Sequence, residues 1–245
     1  MDWFNSLDQN RMSSLAVRDR IPELMDDPNL DPAEHRQALA GLARINRWSR
    51  SDAILWPVME SLARKNAGRL IRVLDVATGA GDVPIKLWRR AKAAALPVAL
   101  SGCDVSPTAV AIAAENAGRE SSDLNFFVHD VLHDPIPGRY DLITCSLFLH
   151  HLSSEEATIV LQRMRDAADA VAVNDLARSR TGFALAWIGT RLLSRSPIVH
   201  FDGPASVRSA FTADEAVALA EQAGLQGATA VSRWPCRFLM TWSRT

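Results

Sequence analysis

Short apolar runs alternate with amphipathic stretches along most of the chain after residue 70. The runs are rich in valine, leucine and isoleucine, and they cover residues 70–78, 98–105, 124–131, 140–148 and 170–175. Continuous apolar runs of this length, separated by helical periodicity, are typical of strands buried on both faces. The pattern therefore predicts parallel strands in a sheet with helices on both sides.

Helix starts and stops are marked by residues that cap helices. Ser106 precedes Pro107, and the segments SSEE (153–156) and TADE (212–215) have the spacing of a capping box. Gly224 stands where the last of these helices should end. These signals predict helices that begin after 106, 153 and 212.

The regions outside this alternation are expected to be additions to one core. A helix is predicted to begin near Asp31, with Pro32 at its first position, and a second one covers 52–65. An apolar helix at 183–193 and a segment with proline and glycine interrupt the rhythm within 176–207. Two closing strands are expected at 226–233 and 236–243.

Composition excludes several classes of protein. The 245 residues are 48% hydrophobic and carry a formal net charge of -1, which gives no strong field toward nucleic acid or an anionic membrane. The apolar stretch 183–193 is too short to span a bilayer, and Arg191 interrupts it. The N-terminus has no apolar signal core. Cys103, Cys145 and Cys236 lack metal-binding spacing and fit free thiols in a reducing cytoplasm.

The turn after the first strand carries the main functional signal. In VLDVATGAGDVPIKL (73–87), Asp75 ends the strand, and Gly79 and Gly81 permit a sharp turn that a ligand can approach. A dinucleotide fingerprint needs a third glycine where Pro84 stands, and the lysine of a phosphate-binding loop is missing after Gly81. The turn is therefore not typical of a pyrophosphate site.

Carboxylates end the next two strands. Asp104 lies 23 residues beyond Gly81 and can accept hydrogen bonds from both ribose hydroxyls. Asp130, at the end of the third run, can contact an adenine amino group directly or through its neighbouring backbone. The glycine pair alone is weak evidence for a ligand site. Together with carboxylates in this order, it favours an adenosine-containing ligand.

At these residues, over about 70–175, the sequence resembles class I S-adenosylmethionine-dependent methyltransferases. The resemblance implies that Asp104 binds the ribose and that Asp130 and Val131 lie near the adenine. It also implies that Asp75, Gly79 and Gly81 lie around the methionine portion. The remaining cofactor contacts are expected from the first turn and from the ends of the second and fourth strands, at Ala77, Thr78, Asp82, Val105 and Ser146. Ala77 departs from the family, where many members carry glycine, and this puts the exact backbone path in question.

The implied fold is α/β, with a Rossmann-like seven-stranded, mostly parallel sheet and helices on both faces. Its last strand is antiparallel, and it has an N-terminal helical extension and an inserted helical cap. A single domain is expected, divided into an extension (1–66), a cofactor-binding core (67–175), a substrate-side insert (176–207) and a closing part (208–245).

Two adjacent histidines follow the fourth strand, at the edge where ligands bind in open α/β sheets. His150 and His151 are the candidate general bases, because imidazole can take a proton near neutral pH. Packing or loop capping is the alternative for both. Asn174 and Asp175, at the end of the fifth strand, are expected either to orient substrate or to cap the next segment.

The insert is expected to form much of the acceptor pocket. Its apolar side chains can line a site for an aromatic or lipid-like acceptor, with core packing as the alternative: Phe183, Leu185, Trp187, Ile188, Leu192 and Leu193. Its arginines can attract an acidic acceptor or simply be solvated: Arg178, Arg180, Arg191 and Arg195. His200 and Asp202 can reach the pocket, although a surface position is favoured. The N-terminal helix, with Arg44, Arg47 and Arg50 on one face beside Trp48, is a candidate lid.

A narrower resemblance points to the acceptor. The segment PELMDDPNLDPAEHRQALAGLARINRW, with SVRSAF and RWPCRF, resembles bacterial methyltransferases associated with type III polyketide synthases. The core is also similar to ubiquinone and menaquinone methyltransferases. This implies O- or C-methylation of a small phenolic or polyketide-like molecule by S-adenosylmethionine, without a metal or nucleic acid. A nicotinamide-dependent oxidoreductase and a nonenzymatic S-adenosylmethionine-binding module are the alternatives.

Overall fold

Seven strands form a single sheet in the computed structural model, which describes residues 15–26, 30–31, 37–38 and 50–244. The strands are β1 (Ile71–Val76), β2 (Val98–Asp104), β3 (Asn125–Val128), β4 (Leu142–Ser146), β5 (Ala170–Leu176), β6 (Thr229–Arg233) and β7 (Arg237–Ser243). Each predicted strand is present, and most are shorter than the apolar run that predicts them.

The helices of the described residues are α1 (Ser51–Lys65), α2 (Asp82–Ala93), α3 (Pro107–Arg119), α4 (Ser154–Ala167), α5 (Arg180–Leu193), α6 (Pro197–Ser209) and α7 (Ala213–Gln222). Two short 3-10 helices lie at Leu24–Asp26 and Leu149–His151.

The predicted caps are formed. Ser153 and Glu156 make a reciprocal capping box at α4, and Thr212 and Glu215 make another at α7. Beyond α7, Gly224 is left-handed and its N–H bonds the carbonyl of Glu221, which closes the helix as expected of a C′ glycine.

The strand order is β3-β2-β1-β4-β5-β7-β6. β1 pairs in parallel with both β2 and β4, and β7 is antiparallel to both of its neighbours, β5 and β6. β2 and β3 are added on one side of β1, and β4 and the later strands are added on its other side. The boundary between β1 and β4 is therefore the topological switch point, where ligands of such sheets bind. The fold predicted from the sequence is confirmed.

Apolar side chains fill both faces of the sheet. One cluster joins β1, β4 and β5 to α4 and α7, and the other packs α1 and α2 against the opposite face. Cys103 and Cys145 are buried free thiols in the first cluster, as predicted.

The segment after β5 is more helical than its proline and glycine content predicts. After α5, residues Pro197–Ser209 form α6, with Pro197 in its first turn and Pro204 inside it. Proline is tolerated at a helix start, because the first N–H groups have no partner within the helix. Packing of α6 against α5 and the 3-10 turn at Leu24–Asp26 accompanies its helical conformation despite Pro204.

The helix predicted from Asp31 and its arginine face lie outside the described residues, apart from Arg50, which is left-handed just before α1. Among the described residues, no helix has both the length and the apolar character that a membrane span requires.

Candidate donor and acceptor site

The turn between β1 and α2 is built from residues in the left-handed region. Ala77, Gly79 and Gly81 have φ values of 52°, 55° and 78°. A Cβ on Gly81 would lie 3.0 Å from the ring of Phe126, so both conformation and space favour glycine there. Ala77, where the resembling family often carries glycine, adopts a conformation that glycine prefers.

Asp75 lies buried beneath this turn. Its carboxylate accepts hydrogen bonds from Thr78 Oγ1 at 2.9 Å and from Thr144 Oγ1 at 2.6 Å. Burial raises the pKa of Asp75 to about 6, against the opposing effect of the two hydroxyl hydrogen bonds. Asp75 is therefore held within the turn and fixes Thr78.

Asp104 connects the ends of β1 and β2. One carboxylate oxygen accepts the N–H of Gly79 at 2.8 Å, and the other accepts the N–H of Ser106 at 2.9 Å. Each oxygen has two lone pairs, so the carboxylate can still accept hydrogen bonds from a ligand. Its partly exposed position at the sheet edge is compatible with the predicted ribose contact.

Asp130 organises the loop after β3. Its carboxylate accepts the N–H of Leu132 at 2.9 Å and lies 2.8 Å from Nδ1 of His133. The hydrogen bond from His133 is the main cause that lowers the pKa of Asp130. The side chain thus caps its own loop, which leaves the neighbouring backbone as well as the carboxylate for an adenine ring.

A cavity of about 360 Å³ lies at this edge. Five predicted cofactor residues line it, namely Ala77, Asp104, Val105, Asp130 and Val131, and so do His129, Leu132, Leu147, Phe148, His151 and Leu152. Thr78, Gly79 and Gly81 belong to the turn that follows Ala77, Asp82 is exposed at the start of α2, and Ser146 ends β4. The cavity combines carboxylates with an apolar wall, as an adenosyl group requires.

His150 is buried and bound to Asp175. Its Nδ1 lies 2.6 Å from Asp175 Oδ1, and its backbone N–H donates to Asp175 Oδ2 at 3.1 Å. Burial lowers the pKa of His150, but the charge and hydrogen bond of Asp175, with a contribution from Glu23, outweigh it and raise that pKa. Burial likewise opposes ionisation of Asp175, yet His150 holds the pKa of this carboxyl below its usual value.

Asp175 has a partner that the sequence does not predict. Its carboxylate binds the ring and the backbone N–H of His150, and it also accepts the N–H of Leu176, the next residue. That it orients substrate or caps the next segment stays a prediction. Asn174 is also buried, and its side chain donates to Ser51 Oγ at 3.0 Å. β4 pairs in parallel with β5, and this pairing brings the end of β5 beside the loop that carries the histidines.

His151 is exposed, and its ring centroid lies 4.2 Å from that of His150. Glu23 approaches the pair from the N-terminal segment, with Oε1 4.0 Å from His150 Nε2. One potential ligand atom from each of Glu23, His150 and His151 lies within 4.8 Å of the other two, so this group could hold a metal ion. The sequence predicts no metal site.

A second cavity, of about 270 Å³, lies between these histidines and the insert. Leu185 and Leu193 of the predicted apolar set line it, whereas Phe183 is buried and Trp187, Ile188 and Leu192 are largely exposed. The insert therefore forms a wall of this cavity, but with fewer of its apolar side chains than the sequence predicts.

Two charged residues of the insert, Asp202 and Arg178, differ from expectation. The other arginines, Arg180, Arg191 and Arg195, are exposed, as the solvated alternative predicts. Asp202 is buried at the cavity, not on the surface, because its carboxylate accepts the N–H groups of Leu24 and Met25. Arg178 is buried in an ion pair with Glu215, and Arg191 stacks on Trp187. His200 Nε2 lies 2.9 Å from the carbonyl of Ser194.

Several lining residues are missing from the sequence prediction. Leu147, with φ of 57°, lines both cavities. His151, which the sequence does predict, also lines both. Arg237, at the start of β7, is buried in the wall of the second cavity, and burial lowers its pKa to about 10. Glu23 and Arg237 belong to segments that the narrower resemblance includes, yet their distance along the chain from His150 gives no local signal.

The sheet order and the switch point are those of the class I methyltransferase fold, and the glycine turn adjoins the carboxylate-lined cavity. Comparison with known proteins agrees, since residues 73–169 match a family model described as a methyltransferase domain. The chain therefore carries a methyltransferase domain with the class I, S-adenosylmethionine-dependent fold, which confirms the resemblance.

Individual relatives are distant. The chain is 38% identical over 76 residues to a demethylmenaquinone methyltransferase of Deinococcus radiodurans, a match that covers 31% of this chain and 30% of that protein. The crystal structure of the S-adenosylmethionine-dependent methyltransferase SibL has a TM-score of 0.66 at 19% identity, with 99% of this chain and 68% of that chain covered. The plantazolicin methyltransferase BpumL has a TM-score of 0.69 at 13% identity, covering 97% and 99%.

Proposed function

We propose that this chain transfers the methyl group of S-adenosylmethionine to oxygen or carbon of a small phenolic or polyketide-like acceptor. The observation that carries the proposal is that Leu147 and His151 line both cavities. One cavity has the carboxylates that suit an adenosyl group, and the other is a largely apolar pocket beside an oriented histidine. Methyl transfer requires such an arrangement, because donor and acceptor must be aligned in one line.

The cavity of about 360 Å³ is the proposed donor cavity, and the cavity of about 270 Å³ is the proposed acceptor cavity. In the donor cavity, Asp104 is proposed to accept hydrogen bonds from the ribose hydroxyls. As the resemblance implies, Asp130 and Val131 are proposed to lie near the adenine, and the turn after β1, with Gly79 and Gly81, is proposed to surround the methionine portion. Asp75 supports that turn through Thr78. The methyl group would then point toward Leu147 and His151, which line both cavities.

In the acceptor cavity, His150 is the proposed base. Its Nδ1 faces Asp175, so Nε2 is the nitrogen that can take the proton of an acceptor hydroxyl or enol. A bond then forms between the acceptor atom and the methyl carbon while the carbon–sulfur bond breaks, and the sulfur keeps the electron pair as S-adenosylhomocysteine. Asp175 stabilises the imidazolium, as a carboxylate behind a catalytic histidine does.

The acceptor cavity favours a mainly apolar molecule with polar groups. Leu185, Leu193 and Val199 are among its apolar lining residues, and its polar lining includes His150, Arg237, Glu23 and Asp202. This supports an aromatic or polyketide-like acceptor over a highly charged one. A nicotinamide-dependent oxidoreductase is disfavoured by Pro84, which is buried in the first turn of α2 where that fingerprint needs glycine.

Calorimetric titration with S-adenosylhomocysteine and with NAD tests the donor half. We expect the wild-type chain to bind S-adenosylhomocysteine and not NAD, and Asp104→Ala to weaken that binding by about 1–3 kcal/mol, since charge-assisted hydrogen bonds to the ribose are lost. Asp169→Ala, at an exposed carboxylate paired with Arg139, is the control and should bind normally. Thermal denaturation of each variant checks folding.

A panel of phenols and enolisable polyketides, with product detected by mass spectrometry, tests the acceptor half. We expect methylated product only when both S-adenosylmethionine and the protein are present. Binding of NAD in place of S-adenosylhomocysteine would favour the oxidoreductase. Donor binding with no methylated product across the panel would favour a nonenzymatic binding module.

A further inference from the structure

We propose that Glu23, His150 and His151 form a binding site for a divalent transition-metal ion such as Zn²⁺ in the acceptor cavity. One ligand atom from each residue lies within 4.8 Å of the other two. His150 Nε2 and Glu23 Oε1 are 4.0 Å apart. Metal–ligand bonds of about 2.0–2.2 Å would reach all three ligand atoms after a small inward movement of Glu23 and of the exposed His151.

The ligand set indicates the class of ion. Two imidazoles and one carboxylate are ligands of Zn²⁺, Fe²⁺ and related ions, whereas Mg²⁺ and Ca²⁺ prefer oxygen donors alone. Catalytic zinc sites commonly have three protein ligands and an open position for water or substrate. Here the three candidate ligands all line one open cavity, so further positions on the ion would face the space that the acceptor is proposed to occupy.

A second observation points to the same ion independently of the cluster. Metal-binding histidines usually donate their other ring N–H to a carboxylate, which fixes the tautomer and orients the ring. Asp175 Oδ1 lies 2.6 Å from His150 Nδ1, and two backbone N–H groups fix the carboxylate: that of Leu176 donates to Oδ1 and that of His150 donates to Oδ2. The remaining nitrogen, Nε2, is the one that faces Glu23.

The charges around the cluster also favour a cation. Three carboxylates lie in or directly behind this wall, those of Glu23, Asp175 and Asp202. Two guanidinium groups balance them in part: Arg237 lines the cavity, and Arg18 donates to the carbonyl of His150. With both histidines neutral, the group retains one negative charge, which a divalent ion would neutralise.

Glu23 is held in position by the cap. Ser206 of α6 donates a hydrogen bond to Glu23 Oε1, and Asp202 fixes the next two backbone N–H groups. The carboxylate is therefore placed by α6 rather than by its own flexible chain, which favours a built site over a chance approach.

The consequence for the acceptor rests on the proposed function. If the ion binds, His150 Nε2 would be a ligand and could not also act as the proposed base. The ion would supply that part of the reaction instead, because it would stabilise the oxyanion of a bound acceptor hydroxyl whose proton passes to water. Ion binding itself does not depend on methyl transfer. The two ideas can therefore fail separately.

Titration of the full chain with Co²⁺, followed by its visible absorption and by calorimetry, tests the site. We expect one Co²⁺ per chain, displaced by Zn²⁺. Glu23→Gln and His151→Asn should each weaken binding by about tenfold or more, since each removes one of three ligands. Asp175→Asn should weaken it by about tenfold to a hundredfold, because the orienting carboxylate is lost.

His133→Asn is the matched control. His133 is an exposed histidine that pairs with Asp130 at the other cavity, and its replacement should leave Co²⁺ affinity unchanged. Thermal denaturation monitors folding, and Glu23→Gln keeps the test valid if Asp175→Asn fails to fold. Absence of stoichiometric Co²⁺ binding, or equal affinity in Glu23→Gln, His151→Asn and wild type, would overturn the proposal. Binding of S-adenosylhomocysteine measured on the same protein reports separately on the donor site.

Discussion

Asp75 shows how one residue at the site combines structural and electrostatic roles. It is fully enclosed at the end of β1, where register places it beside Thr144 of β4 and its side chain accepts the Thr78 hydroxyl. Burial favours the neutral carboxyl, while the two hydroxyls favour the carboxylate, and burial is the larger effect. The residue therefore makes the stability of the ligand-free protein depend on pH.

Asp75→Asn should remove this dependence. The pKa of Asp75 is raised from 3.8 to about 6 in the folded chain, so between these pH values the folded state holds the proton more tightly than the unfolded state. The free energy of unfolding of the wild type should therefore fall relative to Asp75→Asn as pH rises from about 4 to 6, by about 2–3 kcal/mol. Urea denaturation of both proteins at several pH values measures the difference, and parallel curves would contradict the expectation.

The cap depends on the close packing of two helices. α5 and α6 meet where Gly203 faces Thr190, and both residues line the acceptor cavity. A Cβ on Gly203 would lie 2.4 Å from Thr190 Cγ2, closer than side-chain atoms can approach. Glycine at 203 is therefore a condition for the observed spacing of the two helices.

Gly203→Ala should force α5 and α6 apart and lower the free energy of unfolding by about 1–3 kcal/mol, as overpacking does. Gly189→Ala is the control on the same cavity wall, because no heavy atom of the described residues lies within 4 Å of its Cβ position beyond its own neighbours. There the helix-favouring alanine should leave stability unchanged or raise it by about 1 kcal/mol. Equal effects of the two variants in chemical denaturation would show that the close approach is not needed.

At the scale of the whole molecule, the segment 15–26 connects the loop that carries the two histidines (residues 149–152) to the end of α6. Arg18 donates to the carbonyls of Leu152 and Ser209, each at 2.5 Å, and lies 3.6 Å above the ring of Phe211. Further on, the same segment carries Glu23 to the acceptor cavity. Chain parts more than 130 residues apart are thus held together by one guanidinium group.

Arg18→Met should lower the free energy of unfolding by about 1–3 kcal/mol, because partly buried carbonyls lose their donor. Arg20→Met is the control, since Arg20 makes an exposed ion pair with Glu156 and should contribute less than about 1 kcal/mol. Both values come from urea denaturation. A loss in Arg20→Met as large as that in Arg18→Met would assign the effect to charge rather than to the contacts of Arg18.

Local patterns predict the elements of this protein well, because their causes are local. Capping at Ser153 and Thr212 and the glycine turn after β1 depend on residues within a few positions of each other. The helix Pro197–Ser209 is the exception, since its helical conformation accompanies packing against α5 and the N-terminal segment despite Pro204. The contact between Asp175 and His150 likewise has no local signal, because the two residues are 25 positions apart in the chain.

The sequence by itself determined the alternation of strands and helices, the turn of Gly79 and Gly81 and the order of the carboxylates, because periodicity, capping and backbone freedom act over short distances. Only the tertiary structure decided that Asp175 binds His150, that Glu23 reaches the same cavity and that Arg237 is buried in its wall. These contacts join strands and segments far apart in the chain, and their geometry depends on how the sheet and cap pack together.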